Sequence, residues 1–215
     1  MTWTLAIDTS HVVAVGIALD GEPHTRVVVQ DTRAHAEALM PSVLEACGQA
    51  GITVRDLDEI VVGMGPGPFT GLRVGVATAW TLAHAAGLVP HGVCSLDVVA
   101  TQWAELGAPA EFVVAADARR KEMYWATYAA DGRRTSDPQV SAPESLPALP
   151  VAGAVPEPYR GLLDVRGPAS LDPAVLAARW RALRPAGDEP FYLRPADATV
   201  PGKPKSALPR LRAAR

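Results

Sequence analysis

Cysteine is nearly absent: Cys47 and Cys94 are the only two in 215 residues, far apart and outside any CxxC or Cys/His spacing. A disulfide framework and a zinc site are therefore not expected, and both thiols read as small buried hydrophobes. The chain also lacks an apolar run near the eighteen residues a membrane span needs. It opens MTWTLAIDTS, with no basic leader and an acid by Asp8. A cytoplasmic protein without membrane association is expected. Common catalytic loops are missing too: there is no GxxxxGK[ST], no GxGxxG, no GxSxG elbow and no HExxH helix. His11, His24, His35, His84 and His91 show no i,i+4 pairing, so they read as solvated or structural side chains. No catalytic set is visible, and no cofactor is expected.

What remains describes an ordinary folded chain, with 48% hydrophobic and 20% charged residues. The formal charge is −3, yet the last fifteen residues hold Lys203, Lys205, Arg210, Arg212 and Arg215 without an acid. The rest of the chain thus carries about −8, which gives no footprint for wrapping RNA by itself. Residues 3–19 read as two apolar strands interrupted at Asp8–His11, with a third strand over 25–30. Helical spacing follows from His35 to Gly48: Leu39, Val43 and Ala46 form one stripe, Met40, Leu44 and Cys47 the next, and Pro41 threatens a kink. A buried strand over 60–64, a Gly/Pro turn, a long helix over 70–86, a short strand near 89–93 and another helix complete the first half. A second opening strand pair is expected at 112–116 and 123–128, flanking a polar turn. Fourteen of the twenty prolines lie after residue 137, so the remainder should be short elements and loops.

Two copies of a strand–turn–strand opening fit the duplicated lobes of the actin, sugar-kinase and Hsp70 superfamily. Asp8-Thr9-Ser10 sits where such a turn meets the cleft between lobes. It suits phosphate contact, or equally an Asx turn that satisfies its own backbone. GMGPGPFTGLRVG places glycines at 63, 65, 67 and 71 and prolines at 66 and 68, forcing an irregular strand-to-helix corner. That corner serves either an anion or partner at the helix start, or folding alone. LAIDTS, VVGMGPGPFTGLRVGVATAWTLAHA and PFYLRPADAT, in that order, resemble the bacterial TsaB (YeaZ) family over about residues 1–198.

The resemblance implies an α/β, two-lobed actin-like (ribonuclease H-like) fold. The repeated opening puts the lobe boundary near Gly107, giving lobes at 1–106 and 107–200 with the proline-rich second one reduced, and the Pro- and Lys/Arg-rich stretch 201–215 reads as a basic, disordered tail. The resemblance also implies a non-catalytic scaffold paired with the TsaD catalytic subunit and working alongside the TsaE ATPase. Their product would be N6-threonylcarbamoyladenosine at position 37 of tRNAs reading ANN codons, with tRNA held mainly by the complex. Matching GVCSLDVVA to the catalytic relative's HxxxH segment puts Ser95 and Val99 where its two histidines stand, and valine cannot ligate a metal. The rival readings are a glycoprotease-type peptidase, which that mismatch opposes, and a small-molecule kinase using Asp8, Asp97 and Asp117. A homodimer of the isolated chain is a third, and it would share the docking surface. On the long helix, Leu72, Val76, Ala79 and Ala83 read as core, whereas Arg73, Ala77, Trp80 and His84 form an outer stripe with Trp80 as anchor. Thr70, Val74 and Thr81 extend that candidate partner face, and His35, Leu39 and Met40 join it from the first helix.

Overall fold

A computed structural model describes residues 1–31 and 35–194. Strand β1 (Trp3–Asp8) runs antiparallel to β2 (Val13–Leu19), and β2 to β3 (Glu22–Val29). Asp20 and Gly21 make the tight β2–β3 turn with φ of 52° and 80°, the left-handed pair that matches strand twist in a two-residue hairpin. Helix α1 (His35–Gln49) is followed by β4 (Glu59–Gly63), α2 (Phe69–Ala86) and β5 (His91–Val93). β4 pairs parallel with β1, and β5 with β4, so the first sheet has the order β3-β2-β1-β4-β5. Pro41 does not interrupt α1, which continues through it to Gln49.

The second half repeats this plan in short form. β6 (Glu111–Asp117), β7 (Met123–Ala129), β8 (Gln139–Ser141) and β9 (Val151–Ala152) give the order β8-β7-β6-β9. That is the first sheet's order without a counterpart of β5. The chain thus has the two-sheet, actin-like α/β architecture that the duplicated opening predicts, with the second copy reduced. Both opening strands even end alike: Asp8 Oδ1 accepts from Ser10 N at 2.8 Å, and Asp117 Oδ1 from Arg119 N at 2.8 Å.

Strand alternation divides the core. Leu5 and Ile7 of β1 face the cluster that α1 and α2 cover, with Leu39, Val43, Ala79 and Ala83, while Ala6 faces Leu176 and Ala177 on the other side. The latter belong to α4 (Pro173–Arg179), which is capped by Asp172 Oδ1 accepting from Ala174 N at 2.9 Å. A Cβ on Gly16 would lie 2.2 Å from the Pro173 carbonyl carbon, so only glycine lets α4 settle onto β2. Helix α3 (Ser95–Glu105) instead packs Val99, Ala100 and Trp103 against Phe112 and Tyr128 of the second sheet. Each half of the sequence therefore lends a helix to the other half's sheet. Burying each of these large side chains contributes roughly 1.5–3 kcal/mol.

The end of the described chain ties these parts together. Ala186 N donates to Gly92 O of β5 and Phe191 N to Met64 O just after β4, both at 2.8 Å. Phe191 touches both main cores, Tyr192 packs 4.9 Å from Phe69, and Arg194 pairs with Glu122 of the β6–β7 turn. The rest of PFYLRPADAT and the basic tail lie outside the described residues. Among the described residues no helix is long and apolar enough to cross a membrane.

Candidate partner face and inter-sheet cleft

The glycine-rich corner packs around the Asp8 turn. A Cβ at Gly63 would fall 1.7 Å from Asp8 Oδ2, one at Gly67 2.5 Å from Ser10 O, and one at Gly71 2.7 Å from Thr9 O. Thr9 Oγ1 donates to Gly71 O at 2.7 Å, which fastens the turn to the start of α2. Gly75 is likewise taken up inside: its added Cβ would meet Thr9 Oγ1 at 2.2 Å. The folding requirement of this corner is thus close packing between segments more than fifty positions apart.

Asp8 forms an Asx turn. Its Oδ1 accepts from Ser10 N and Ser10 Oγ (2.6 Å), and its Oδ2 accepts from Ser95 Oγ at 2.5 Å. Ser95 Oγ in turn accepts from Gly65 N at 3.1 Å. Burial pushes the Asp8 carboxyl above its ordinary range, against the hydrogen bonds from Ser10 and Ser95. A carboxyl whose folded pKa is raised contributes stability that is present below its unfolded pKa and lost as pH rises through the folded value. Asp8→Asn keeps the Oδ1 acceptor for Ser10, turns a donor toward Ser95 Oγ and removes the charge. Relative to wild type, its urea midpoint should therefore climb with pH above about 4, by at most about 1.4 kcal/mol per pH unit in free energy. Parallel pH profiles of the two proteins would show that Asp8 is ordinarily ionised.

Asp8, Ser10, Ser95 and Asp117 line a cleft of about 370 Å³ between the sheets, with Val12, Leu96, Val99 and Leu171 forming apolar wall. Ser95 and Val99, one helical turn apart, both reach it. There they supply a hydroxyl bound to Asp8 and an aliphatic surface. Of the three carboxylates that a kinase reading needs, Asp97 is elsewhere: it accepts from Tyr128 Oη at 2.8 Å and faces Arg134 at 3.5 Å inside the second core. Asp117 is paired with Arg119 at 3.2 Å.

The outer stripe of α2 is open to solvent as expected. Thr70, Arg73, Ala77, Thr81 and His84 are exposed, and Trp80 is 46% exposed. Thr81 Oγ1 bonds back to Ala77 O at 2.7 Å, and Arg73 lies 3.8 Å over the Phe69 ring, which fixes its guanidinium near the helix start. On α1, Met40 is 37% exposed. Leu39 corrects the expectation: at 1% exposure it packs beside Val43 and Cys47 under the sheet, because its stripe faces β2 and β3. Val74 is half-buried against the same core, and His35 is half-buried at the first turn of α1. Leu44, one turn beyond Met40 and 59% exposed, belongs to the outer surface that the sequence reading passed over. Its i,i+4 spacing from Met40 was the available signal. His11 and Arg119 were also not singled out for a site, since only folding brings them beside His35.

The family model described as TsaD, tRNA N6-adenosine threonylcarbamoyltransferase, matches residues 28–160. A Mycobacterium tuberculosis protein described as uncharacterized is 45% identical over 205 residues, covering 90% of this chain and 92% of its own. The Escherichia coli tRNA threonylcarbamoyladenosine biosynthesis protein TsaB is 35% identical over 129 residues, 59% of this chain and 55% of its own. A Pseudomonas aeruginosa crystal structure, described as similar to the peptidase YeaZ, aligns with a TM-score of 0.72 at 27% identity. It covers 90% of this chain and all of that one. The chain belongs to the TsaB (YeaZ) family. Within a TsaB frame, the glycine corner and the Asp8 turn it encloses carry two of the three motifs of the sequence resemblance, and they lie at the root of α2. The word peptidase belongs to the Pseudomonas comparison; here the cleft positions of interest are Ser95 and Val99.

Proposed function

We propose that the protein serves tRNA threonylcarbamoyladenosine biosynthesis as a non-catalytic subunit. It would pair with a TsaD catalytic subunit and work beside a TsaE ATPase on adenosine 37 of tRNAs reading ANN codons. The observation that carries this reading is the exposed α2 stripe. Trp80 and Ala77 are presented on a helix whose opposite side is locked into the core, the arrangement expected of an aromatic anchor on a rigid support. Met40 adds apolar surface from α1. Two such helix pairs, from this chain and a partner, would close a four-helix contact. The same face would pair two copies of this chain when it is alone, so homodimer and heterodimer would compete for it.

Family membership and the nature of Ser95 and Val99 support the scaffold role. The two lobes are assigned to 1–106 and 107–200, with the exchanged helices α3 and α4 holding them in register. The net charge of the chain ahead of the tail supports leaving most of the tRNA to the complex. Mixing the purified chain with TsaD and TsaE from one cell should restore threonylcarbamoylation of tRNA that TsaD and TsaE alone do not perform. Full activity without this chain, or threonylcarbamoyl transfer by this chain alone, would overturn the reading.

A further inference from the structure

A cavity of about 220 Å³ opens between the second half of α2, β5 and the segment that follows α4. Val62, Met64 and Val93 give it an apolar lining. Its remaining wall is aromatic: His91 stacks on Trp180 with ring centroids 4.2 Å apart and planes 20° apart, and Trp80 lines the α2 side. Trp80 is 46% exposed and Val89 is 74% exposed, so two large apolar side chains of one cavity wall meet water. The volume is below the roughly 300–1,000 Å³ usual for metabolite and cofactor sites, and it suits one or two side chains of a peptide.

Charge narrows the choice of peptide. Asp188 lines the cavity and Glu189 follows it in sequence; both are exposed, and neither is in an ion pair among the described residues. Arg181, on the same wall, is already paired with Glu59. An aromatic, apolar hollow beside free acids fits a basic segment with prolines. Proline holds an extended shape at little entropic cost and packs on aromatic rings, while lysines next to it meet the carboxylates.

The chain carries such a segment, Val200-Pro201-Gly202-Lys203-Pro204-Lys205, beyond the described residues. It is long enough to return. Asp188 on the cavity wall and Arg194, the last described residue, are six residues apart, so at most about 22 Å separates them. The seven residues 195–201 span about 25 Å when extended, which brings Pro201 back to the cavity. A tether this short keeps the segment at an effective concentration on the order of millimolar.

We propose that residues 200–205 of this chain seat in this cavity, with Pro201 and Pro204 against Trp80 and the His91–Trp180 pair, and Lys203 and Lys205 toward Asp188 and Glu189. The seat borders the outer stripe of α2 at Trp80. It therefore covers one flank of the docking helix and sets Arg210, Arg212 and Arg215 beside it. The inference does not rest on the partner role, because seat and occupant belong to one chain and are read on that chain alone.

Backbone nitrogen-15 relaxation of the full chain should give Gly202 and Lys203 order parameters near about 0.8, as in rigid backbone, and Arg212 one below about 0.6. Val89→Lys, at an exposed position of the wall, should drop Gly202 and Lys203 to the Arg212 level. It should also shift the indole N–H signals of Trp80 and Trp180, while those of Trp3, Trp103 and Trp125 hold their native places. Asp188→Lys/Glu189→Lys should release the segment in the same way, and adding Lys203→Glu/Lys205→Glu should seat it again. Lys203 as mobile as Arg212 in the unaltered chain would overturn the proposal. So would order at Lys203 that appears only as protein concentration rises, which makes the occupant a second copy, or only when a partner protein or an RNA oligonucleotide is added.

Discussion

Replacing Ala77 with glutamate is expected to abolish assembly with a TsaD partner while leaving the chain folded. Ala77 is exposed on α2, and glutamate is a good helix former, so the helix itself loses little. In a close helix–helix contact the same change sets a charge against a dry surface. An unpaired charge there costs on the order of several kcal/mol, and 3 kcal/mol corresponds to more than about a hundredfold in affinity. Sedimentation should show loss of the heterodimer and of any homodimer. Modification of tRNA in the reconstituted system should fall in proportion. Unaltered assembly, with circular dichroism confirming a native fold, would mean that the docking surface lies elsewhere, the second sheet being next to test.

The largest loss of stability is expected from Arg134→Met. Arg134 and Asp97 have side chains only 7% and 5% exposed, and their charges stand 3.5 Å apart beneath the second sheet. Tyr128 Oη completes the group by donating to Asp97. Burial pushes the Asp97 carboxyl up in spite of the Arg134 charge, so the arginine is what keeps an ion tolerable there. Removing one member of such a pair typically costs about 3–5 kcal/mol, most of it from the charge left behind. Urea denaturation should show that loss, and adding Asp97→Asn should restore much of it because the stranded charge is then gone. A loss below about 1 kcal/mol would mean that Asp97 is already neutral in the native protein.

The strands and helices of this protein were legible because their signals are local. Alternation in WTLAID and VAVGIAL, the 3.6-residue stripe of α2 and the polar turn between β6 and β7 require only near neighbours to interpret. The outer stripe Arg73, Ala77, Trp80 and His84 was legible for the same reason: one helix face is polar enough to stand in water. Leu39 failed that logic. Its stripe and the Met40 stripe are both apolar, and only the position of the sheet decides that Leu39, Val43, Ala46 and Cys47 are buried while Met40 and Leu44 stay exposed. At Asp8 the Asx turn is itself local, closed by Ser10 two positions on, whereas the bond from Ser95 spans 87 positions of sequence and exists only in the folded chain.

The sequence by itself determined the repeated strand–turn–strand opening, the family and the solvent-facing side of α2, since each is written in periodicity or in a contiguous motif. Tertiary structure alone decided that α3 and α4 cover each other's sheets, that Gly63, Gly71 and Gly75 serve close packing around residues 8–10, and that His11, His35 and Arg119 share one cavity. These depend on contacts between residues tens of positions apart. No local pattern encodes such a contact, because its free energy exists only once the intervening chain has folded back on itself.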